Sequence, residues 1–334
     1  MSVPPSLAPI LVLGSNSFSG ASFTQYALEM GAAVIGASRS PEPDRAFLPY
    51  LWSDHTNFSF QQLDLNHDLE QIIQVAQDHQ VATVVNFAAQ SMVAESWQFP
   101  ADWFMTNTVS TIRLHDALRQ CTTLERYVHV STPEVYGNCT GFVREDQTFN
   151  PSTPYAVSRA AADMSLRTFR TAYDFPVVTT RATNVYGPGQ QLYRIIPRTI
   201  LSILTGEKLQ LHGGGVSTRS FIHIRDVADA TWKIMLGGTI GDDFHISTGE
   251  AISIRDLVEL ICHKLDAEFG ETVTVVGERL GKDPAYLLDS AKVRSELNWH
   301  DHISLSDGLD ECIQWVRDNL DVLKSEPQHY EHKP

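Results

Sequence analysis

The chain has 334 residues, with 25 Lys plus Arg against 40 Asp plus Glu, a formal net charge of −15. Hydrophobic residues make up 43% and charged residues 19%, a globular balance that excludes disorder, collagen and coiled coil as the main state. The acidic excess and the lack of any Lys/Arg run argue against a nucleic-acid partner, and no stretch approaches the ~18 apolar residues that span a bilayer.

A short apolar run over 10–13 ends at Gly14 and reads as a strand. A helical pattern over 21–30 follows and is closed by Gly31. The run 33–35 predicts a second strand, 60–65 a third, and 69–77 a helix. Residues 81–87 predict a β-branched strand, 103–118 a helix, 127–130 a strand, 155–173 a helix and 177–180 a strand. Short apolar strands separated by helices indicate a parallel sheet covered on both faces. The expected fold is therefore α/β, a doubly wound Rossmann sheet. Past Asn184 the alternation breaks, with Pro188, Pro197 and Gly213-Gly214-Gly215 among mixed elements. The expected organisation is a Rossmann domain over 1–184, with 221–249 returning to it. Residues 185–220 and 250–334 would form a smaller mixed α/β lobe. Cys121, Cys139, Cys262 and Cys312 have no CxxC spacing and read as free thiols. His300 and His302 form an HxH pair without further spaced ligands, so no metal is expected. The first residues carry a short apolar run without a basic leader, which sets the expectation of a cytoplasmic protein.

The first strand runs into Gly14-Ser15-Asn16-Ser17-Phe18-Ser19-Gly20, directly before a helix. A dinucleotide loop needs glycines where the backbone turns tightly and approaches a pyrophosphate, and it sets a helix N-terminus against the negative charge. Gly14 and Gly20 keep the outer GxxGxxG positions and Ser17 takes the middle one, where its hydroxyl is expected to donate to a phosphate. A plain βα turn would also use such residues. The second strand ends Ser38-Arg39-Ser40, with no carboxylate for a ribose 2′-hydroxyl. Serine and guanidinium suit a 2′-phosphate, so NADP is expected over NAD, and a solvated surface arginine is the plain alternative. Asp64 and Leu65 close the third strand, with Asp64 an acceptor for the adenine amino group. Phe87, Ala88 and Ala89 end the fourth strand beside the same ligand. All of these fall at strand C-termini, where α/β sheets bind ligands.

Ser131-Thr132-Pro133-Glu134-Val135-Tyr136-Gly137 follows the fifth strand, and Tyr155 opens a helix with Arg159 one turn on. The i,i+4 spacing puts both side chains on one helical face. The set resembles the extended short-chain dehydrogenase/reductase family and, within it, the NAD(P)-dependent nucleotide-sugar epimerases and dehydratases, most like the dTDP-glucose 4,6-dehydratase type. The resemblance covers nearly the whole chain. It runs through Asn86-Phe-Ala-Ala-Gln-Ser91, Asn107, Asn184-Val-Tyr-Gly-Pro188, Arg219-Ser-Phe-Ile-His-Ile-Arg-Asp226 and Arg279-Leu-Gly-Lys-Asp-Pro-Ala-Tyr286.

The resemblance implies a lyase that oxidises a nucleotide-diphosphate hexose at carbon 4, loses water across carbons 5 and 6, and returns the hydride to carbon 6. It makes Tyr155 the base for the 4-hydroxyl, supported by the cation at Arg159, with Thr132 bonded to the same oxygen. Glu134 would take the carbon-5 proton. Phe18 and Asn16 join the cofactor loop, and Gln90, Ser91, Asn184, Arg194, Arg219, Arg279 and Tyr286 would hold the nucleotide sugar, with Arg219 and Arg279 clamping its phosphates. Asp226 is expected to accept from backbone and to have no catalytic role. Three positions depart from the family: Ser17 in the glycine loop, Arg159 where the family has Lys, and Pro133 where the dTDP-glucose enzymes have Asp. An epimerase, a 5,6-dehydratase, a UDP-glucuronate decarboxylase and an NADP-binding pseudoenzyme stay open as alternatives. The helices over 103–118 and 155–173 resemble the pair that forms a homodimer contact in the family.

Overall fold

The computed structural model describes residues 8–139, 141–277 and 287–333. Strands β1 (Ile10–Leu13), β2 (Val34–Ser38), β3 (Phe58–Gln62), β4 (Thr83–Asn86), β5 (Arg126–Val130), β6 (Val177–Ala182) and β7 (Asp243–Ile246) form one sheet in the order β7-β6-β5-β4-β1-β2-β3. Every neighbouring pair is parallel. Side chains alternate between faces along a strand, and β1 shows the result. Ile10 and Val12 enter one core with Phe23, Ile234 and Phe244, while Leu11 and Leu13 enter the other with Ile72, Leu114 and Leu166.

Helices α1 (Phe18–Glu29) and α7 (Ile224–Gly237) cover the first face. Helices α2 (Leu69–Asp78), α4 (Thr111–Leu118) and α5 (Pro154–Tyr173) cover the second. The sheet is thus doubly wound. Strand order reverses between β1 and β4, and the C-terminal ends of these two strands open the crevice where such sheets take ligands. The segment 221–249 contributes α7, which packs on α1, and β7, which pairs with β6.

The rest builds around a third core. Helices α6 (Ile195–Thr205), α8 (Ile254–Lys264) and the helix Leu305–Asp318 bury Ile200, Leu257, Ile261, Leu309 and Val316 together. Short two-stranded pairings tie this region down. Phe221–His223 runs parallel to Asn184–Tyr186, and Thr218–Arg219 runs antiparallel to Ile252–Ser253.

Several boundaries differ from expectation, each for a local reason. Helix α1 begins at Phe18, before 21, because Ser17 caps it: its hydroxyl accepts from the Gly20 N–H at 3.1 Å. Strand β3 spans Phe58–Gln62 instead of 60–65, since it is a half-exposed edge strand whose burial pattern does not read as an apolar run. The helix expected over 103–118 begins earlier, with α3 (Pro100–Phe104), and passes through a π-helical segment, Met105–Ser110, before α4.

Candidate functional site

The loop after β1 is shaped for close backbone approach. Gly14 has φ +79°, and a Cβ there would sit 2.7 Å from the Ala88 backbone nitrogen. A Cβ on Gly20 would sit 2.1 Å from the Gly14 carbonyl oxygen. Only glycine fits either place. Ser17 does not behave as expected: its hydroxyl donates to the Gly14 carbonyl at 2.7 Å and accepts from Gly20 N–H. It braces the turn and is committed away from any phosphate. The first-turn donors left at the helix start are the N–H groups of Phe18 and Ser19, and both residues line the main cavity.

That cavity measures about 730 Å³ and lies at the strand ends. Among the proposed dinucleotide residues, Ser17, Phe18, Arg39, Phe87, Ala89, Tyr155 and Arg159 line it. Asn16 and Ser38 stand behind it and brace each other, with Asn16 N–H donating to the Ser38 hydroxyl at 2.9 Å. Leu65 is buried in the core, against the expectation of a cofactor contact. Asp64 accepts from Asn66 N–H at 2.8 Å and faces His67, so its carboxylate shapes its own turn and does not line the cavity.

The chemical end of the cavity is a single turn plus one helix. Thr132 caps the short helix Pro133–Tyr136, with Pro133 at the first helical position, where its missing N–H costs nothing. The Thr132 hydroxyl donates to the Glu134 carboxylate. Thr153 caps α5 by accepting from Ala156 N–H at 3.1 Å, which sets Tyr155 and Arg159 on the inward face. Arg159 is 3% exposed, and its guanidinium donates to the Val130 carbonyl at the end of β5. Burial pushes the Tyr155 phenol up to about 12, with Glu134 adding to the rise; Arg159, a Thr132 hydrogen bond and Arg194 pull it down.

Behind these groups, Asp163 sits one turn beyond Arg159 and accepts from Ser131 at 2.7 Å and from Arg181 at 2.6 Å. His129 lies 3.2 Å from the same carboxylate, and Arg181 also meets Asp243 at 3.0 Å. Burial alone would raise Asp163, but Arg181 and His129 hold it well below the usual carboxylate range. The π-helical segment has a matching task. It presents Asn107, whose amide accepts from Gln90 N–H at 2.8 Å and donates to the Gln90 carbonyl at 2.9 Å and to Ser158 at 3.0 Å. It thereby pins the loop after β4 to α5.

The cavity as a whole is basic. Arg39, Arg159, Arg194, Arg198 and Arg219 all line it, against the carboxylates of Glu95 and Glu134. A chain of net charge −15 thus gathers guanidinium groups in one crevice, the donor set that phosphate oxygens match. Asn184 lines it too, with its amide oxygen buried and without a hydrogen-bond partner. Gln90 and Ser91 also line the cavity. Arg279 and Tyr286 lie outside the described residues. Asp226 is structural, accepting from His302 N–H at 3.0 Å and Ile303 N–H at 3.1 Å.

A family model described as GDP-mannose 4,6 dehydratase matches residues 11–312. The chain belongs to that family. A dTDP-glucose 4,6-dehydratase of Streptomyces niveus is 31% identical over 93% of each chain. The crystal structure of DesIV, a dTDP-glucose 4,6-dehydratase from Streptomyces venezuelae solved with NAD bound, superposes with a TM-score of 0.87 at 30% identity, covering 94% of this chain and 98% of that one. A UDP-glucuronic acid 4-epimerase from Bacillus cereus, solved with UDP-glucuronic acid and NAD, gives a TM-score of 0.85 at 26% identity, covering 93% and 99%.

Three polar cavity residues were not singled out in the sequence. Tyr193 and Arg198 flank the named Arg194 at the start of α6, and Tyr330 arrives from 326–333, far from any motif. The helix-start position of Arg194 and Arg198, one turn apart, was the readable hint for the second arginine.

Proposed function

We propose that the chain is an NAD(P)-dependent nucleotide-diphosphate-hexose 4,6-dehydratase that forms a 4-keto-6-deoxy sugar nucleotide. The observation that carries this reading is the meeting of Thr132, Glu134, Tyr155 and Arg159 with a row of arginines in one cavity. The glycine cradle at Gly14 and Gly20 and the helix-start donors of α1 fit a dinucleotide, which, when bound, accepts a hydride from carbon 4 and returns it to carbon 6. Tyr155 takes the proton of the 4-hydroxyl, and Thr132 holds that oxygen. Glu134 removes the carbon-5 proton, which the 4-ketone has made acidic, and the 6-hydroxyl leaves with a proton as water. Arg194, Arg198 and Arg219 hold the diphosphate, and Asn184 offers its unpartnered amide oxygen as an acceptor to a hydroxyl of the sugar nucleotide. The reading assigns 1–184 and 221–249 to the cofactor and 185–220 with 250–334 to the sugar nucleotide. Arg39, directly after β2 in Ser38-Arg39-Ser40, favours NADP, and NAD is the competing result.

A homodimer accords with exposed Met105, Val109, Val157 and Met164 on the α3–α4 and α5 surfaces. No helix among the described residues is long and apolar enough to cross a membrane. Four free cysteines accord with a reducing, cytoplasmic setting.

The test is incubation with a panel of dTDP-, GDP- and UDP-hexoses and UDP-glucuronate, with mass analysis of the products. Loss of one water supports the dehydratase, and loss of carbon dioxide would replace it with a decarboxylase. Interconversion without mass change would replace it with an epimerase. In heavy water the wild type should place deuterium at carbon 5, and Glu134→Gln should abolish that label while carbon-4 oxidation survives.

A further inference from the structure

The segment 326–333 leaves the helix Leu320–Ser325 and crosses to the opposite side of the crevice. It is held there by three kinds of contact. The His332 ring stacks on Phe99 (4.6 Å, 14°) and Trp103 (5.0 Å, 22°), and its Nε2 lies 2.7 Å from the Asp102 carboxylate. The Gln90 amide donates to the Lys333 carbonyl at 2.7 Å and accepts from the Tyr330 hydroxyl at 3.1 Å. Tyr330 packs edge-on against Tyr193 at 5.7 Å.

Two consequences follow for the site. Gln90 is only 3% exposed, and its backbone is already pinned by Asn107, so its side-chain amide is occupied by the segment at both ends. Its role is to receive this segment, not to present a free amide to substrate. Tyr330 itself lines the cavity, and its phenol lies within electrostatic reach of Arg39 on the cofactor side and Arg194 on the substrate side.

We infer that 326–333 is a retaining strap that completes the dinucleotide site, with Tyr330 as a positioning residue that walls the crevice beside Tyr193. The inference rests on the proposed use of a dinucleotide. A carrier that is reduced and reoxidised within one turnover must not escape between the two hydride transfers. A strap anchored on both sides of the mouth supplies that retention.

The experiment reads cofactor release without turnover. The full-length protein is loaded with reduced nicotinamide dinucleotide, NADPH and NADH in separate arms, then mixed with excess oxidised form while nicotinamide fluorescence is followed. Tyr330→Phe removes one hydroxyl and keeps the ring, and it should speed release roughly threefold to tenfold, the range of one lost hydrogen bond. Tyr330→Ala and His332→Ala should speed it more, with the association rate changed less. Bound dinucleotide should also slow proteolytic cleavage within 326–333 in the wild type. Release rates equal to wild type in Tyr330→Phe and Tyr330→Ala, with cleavage unaffected by dinucleotide, would overturn the strap. Wild-type protein that binds neither dinucleotide would instead overturn the proposed function. Should His332→Ala fail to fold, Tyr330→Phe still decides the matter, since it leaves the anchor intact.

Discussion

Arg159 stands where a lysine is the family habit, and its effect on Tyr155 can be sized. The phenol is pushed up to about 12, chiefly by burial and then by the Glu134 carboxylate, and Arg159 is the leading opposing influence. The guanidinium is not free to drift, because it is buried and donates to the Val130 carbonyl. Cβ atoms at i and i+4 lie about 6 Å apart, and a like separation is taken for the two charges. Two unit charges at that distance, with an effective dielectric of ~20, interact by about 3 kcal/mol. That corresponds to about 2 pKa units. Arg159→Met should therefore raise the Tyr155 phenol further by about 2 units and cut the phenolate fraction at a fixed neutral pH roughly a hundredfold. Arg159→Lys should recover most of the loss, because it keeps the charge. The assay is single-turnover reduction of the dinucleotide on adding sugar nucleotide, followed by nicotinamide absorbance across a pH series. The expected rate–pH profile of the Met variant is displaced to higher pH, with the Lys profile lying near the wild type. A Met variant whose profile superimposes on the wild type would refute the electrostatic role and leave Arg159 as a packing residue.

Two further outcomes are expected. Asp163→Asn leaves Arg181, which is 0% exposed, with Asp243 as its remaining carboxylate partner among the described residues. Breaking such a buried pair costs ~3–5 kcal/mol. With an unfolding entropy of ~2.1 cal/mol/K per residue, the melting temperature should fall by about 6 °C. Because the Asp163 carboxyl is held below its ordinary range, its contribution is fully present above the unfolded value of ~3.9 and is lost as pH falls below it. The gap between variant and wild type in thermal melts should therefore shrink below about pH 4. Arg39→Ala should weaken NADPH binding about tenfold or more while changing NADH little, read by fluorescence titration. An equal effect on both dinucleotides would remove the 2′-phosphate assignment.

The sheet was legible because its inner strands are buried on both faces and read as apolar runs. Strands β1, β5 and β6 fall within two residues of the sequence expectation at each end. The edge strand β3 was displaced because half-exposure removes the run. The π-helical segment had no signature, since its extra residue per turn is selected by the contacts of Asn107 to Gln90 and Ser158, which only the fold creates. Within the candidate site, positions set by local chain geometry were readable: Gly14, Thr132 and Tyr155 each sit at a strand end or helix start, and Arg159 lies one turn further along α5. Ser17 was placed correctly but given the wrong partner, because a capping hydroxyl and a phosphate-binding hydroxyl require the same residue at the same turn. Tyr330 was invisible. Its place depends on stacking of His332 between Phe99 and Trp103, residues more than 200 positions away in sequence.

The turn over 131–137 bears most directly on how the proposed elimination is organised. Pro133 has no proton to give, and the lining residues narrow the choice of donor. Glu95 and Glu134 are the carboxylates among the described cavity residues. Glu95 lies toward Tyr193 and Tyr330, acting on both phenols. Glu134 alone touches the Thr132 hydroxyl and acts on the Tyr155 phenol. The fixed φ of Pro133 sets the turn, and Thr132 caps it, so the oxygen-holding and proton-removing groups stand two residues apart on one rigid element. On the proposed mechanism, the carboxyl assigned to the carbon-5 proton is also the one available to protonate the departing hydroxyl. The loss of an acid at position 133 then does not end the chemistry. On that proposal both proton steps fall to one residue, which Thr132 braces from two positions away.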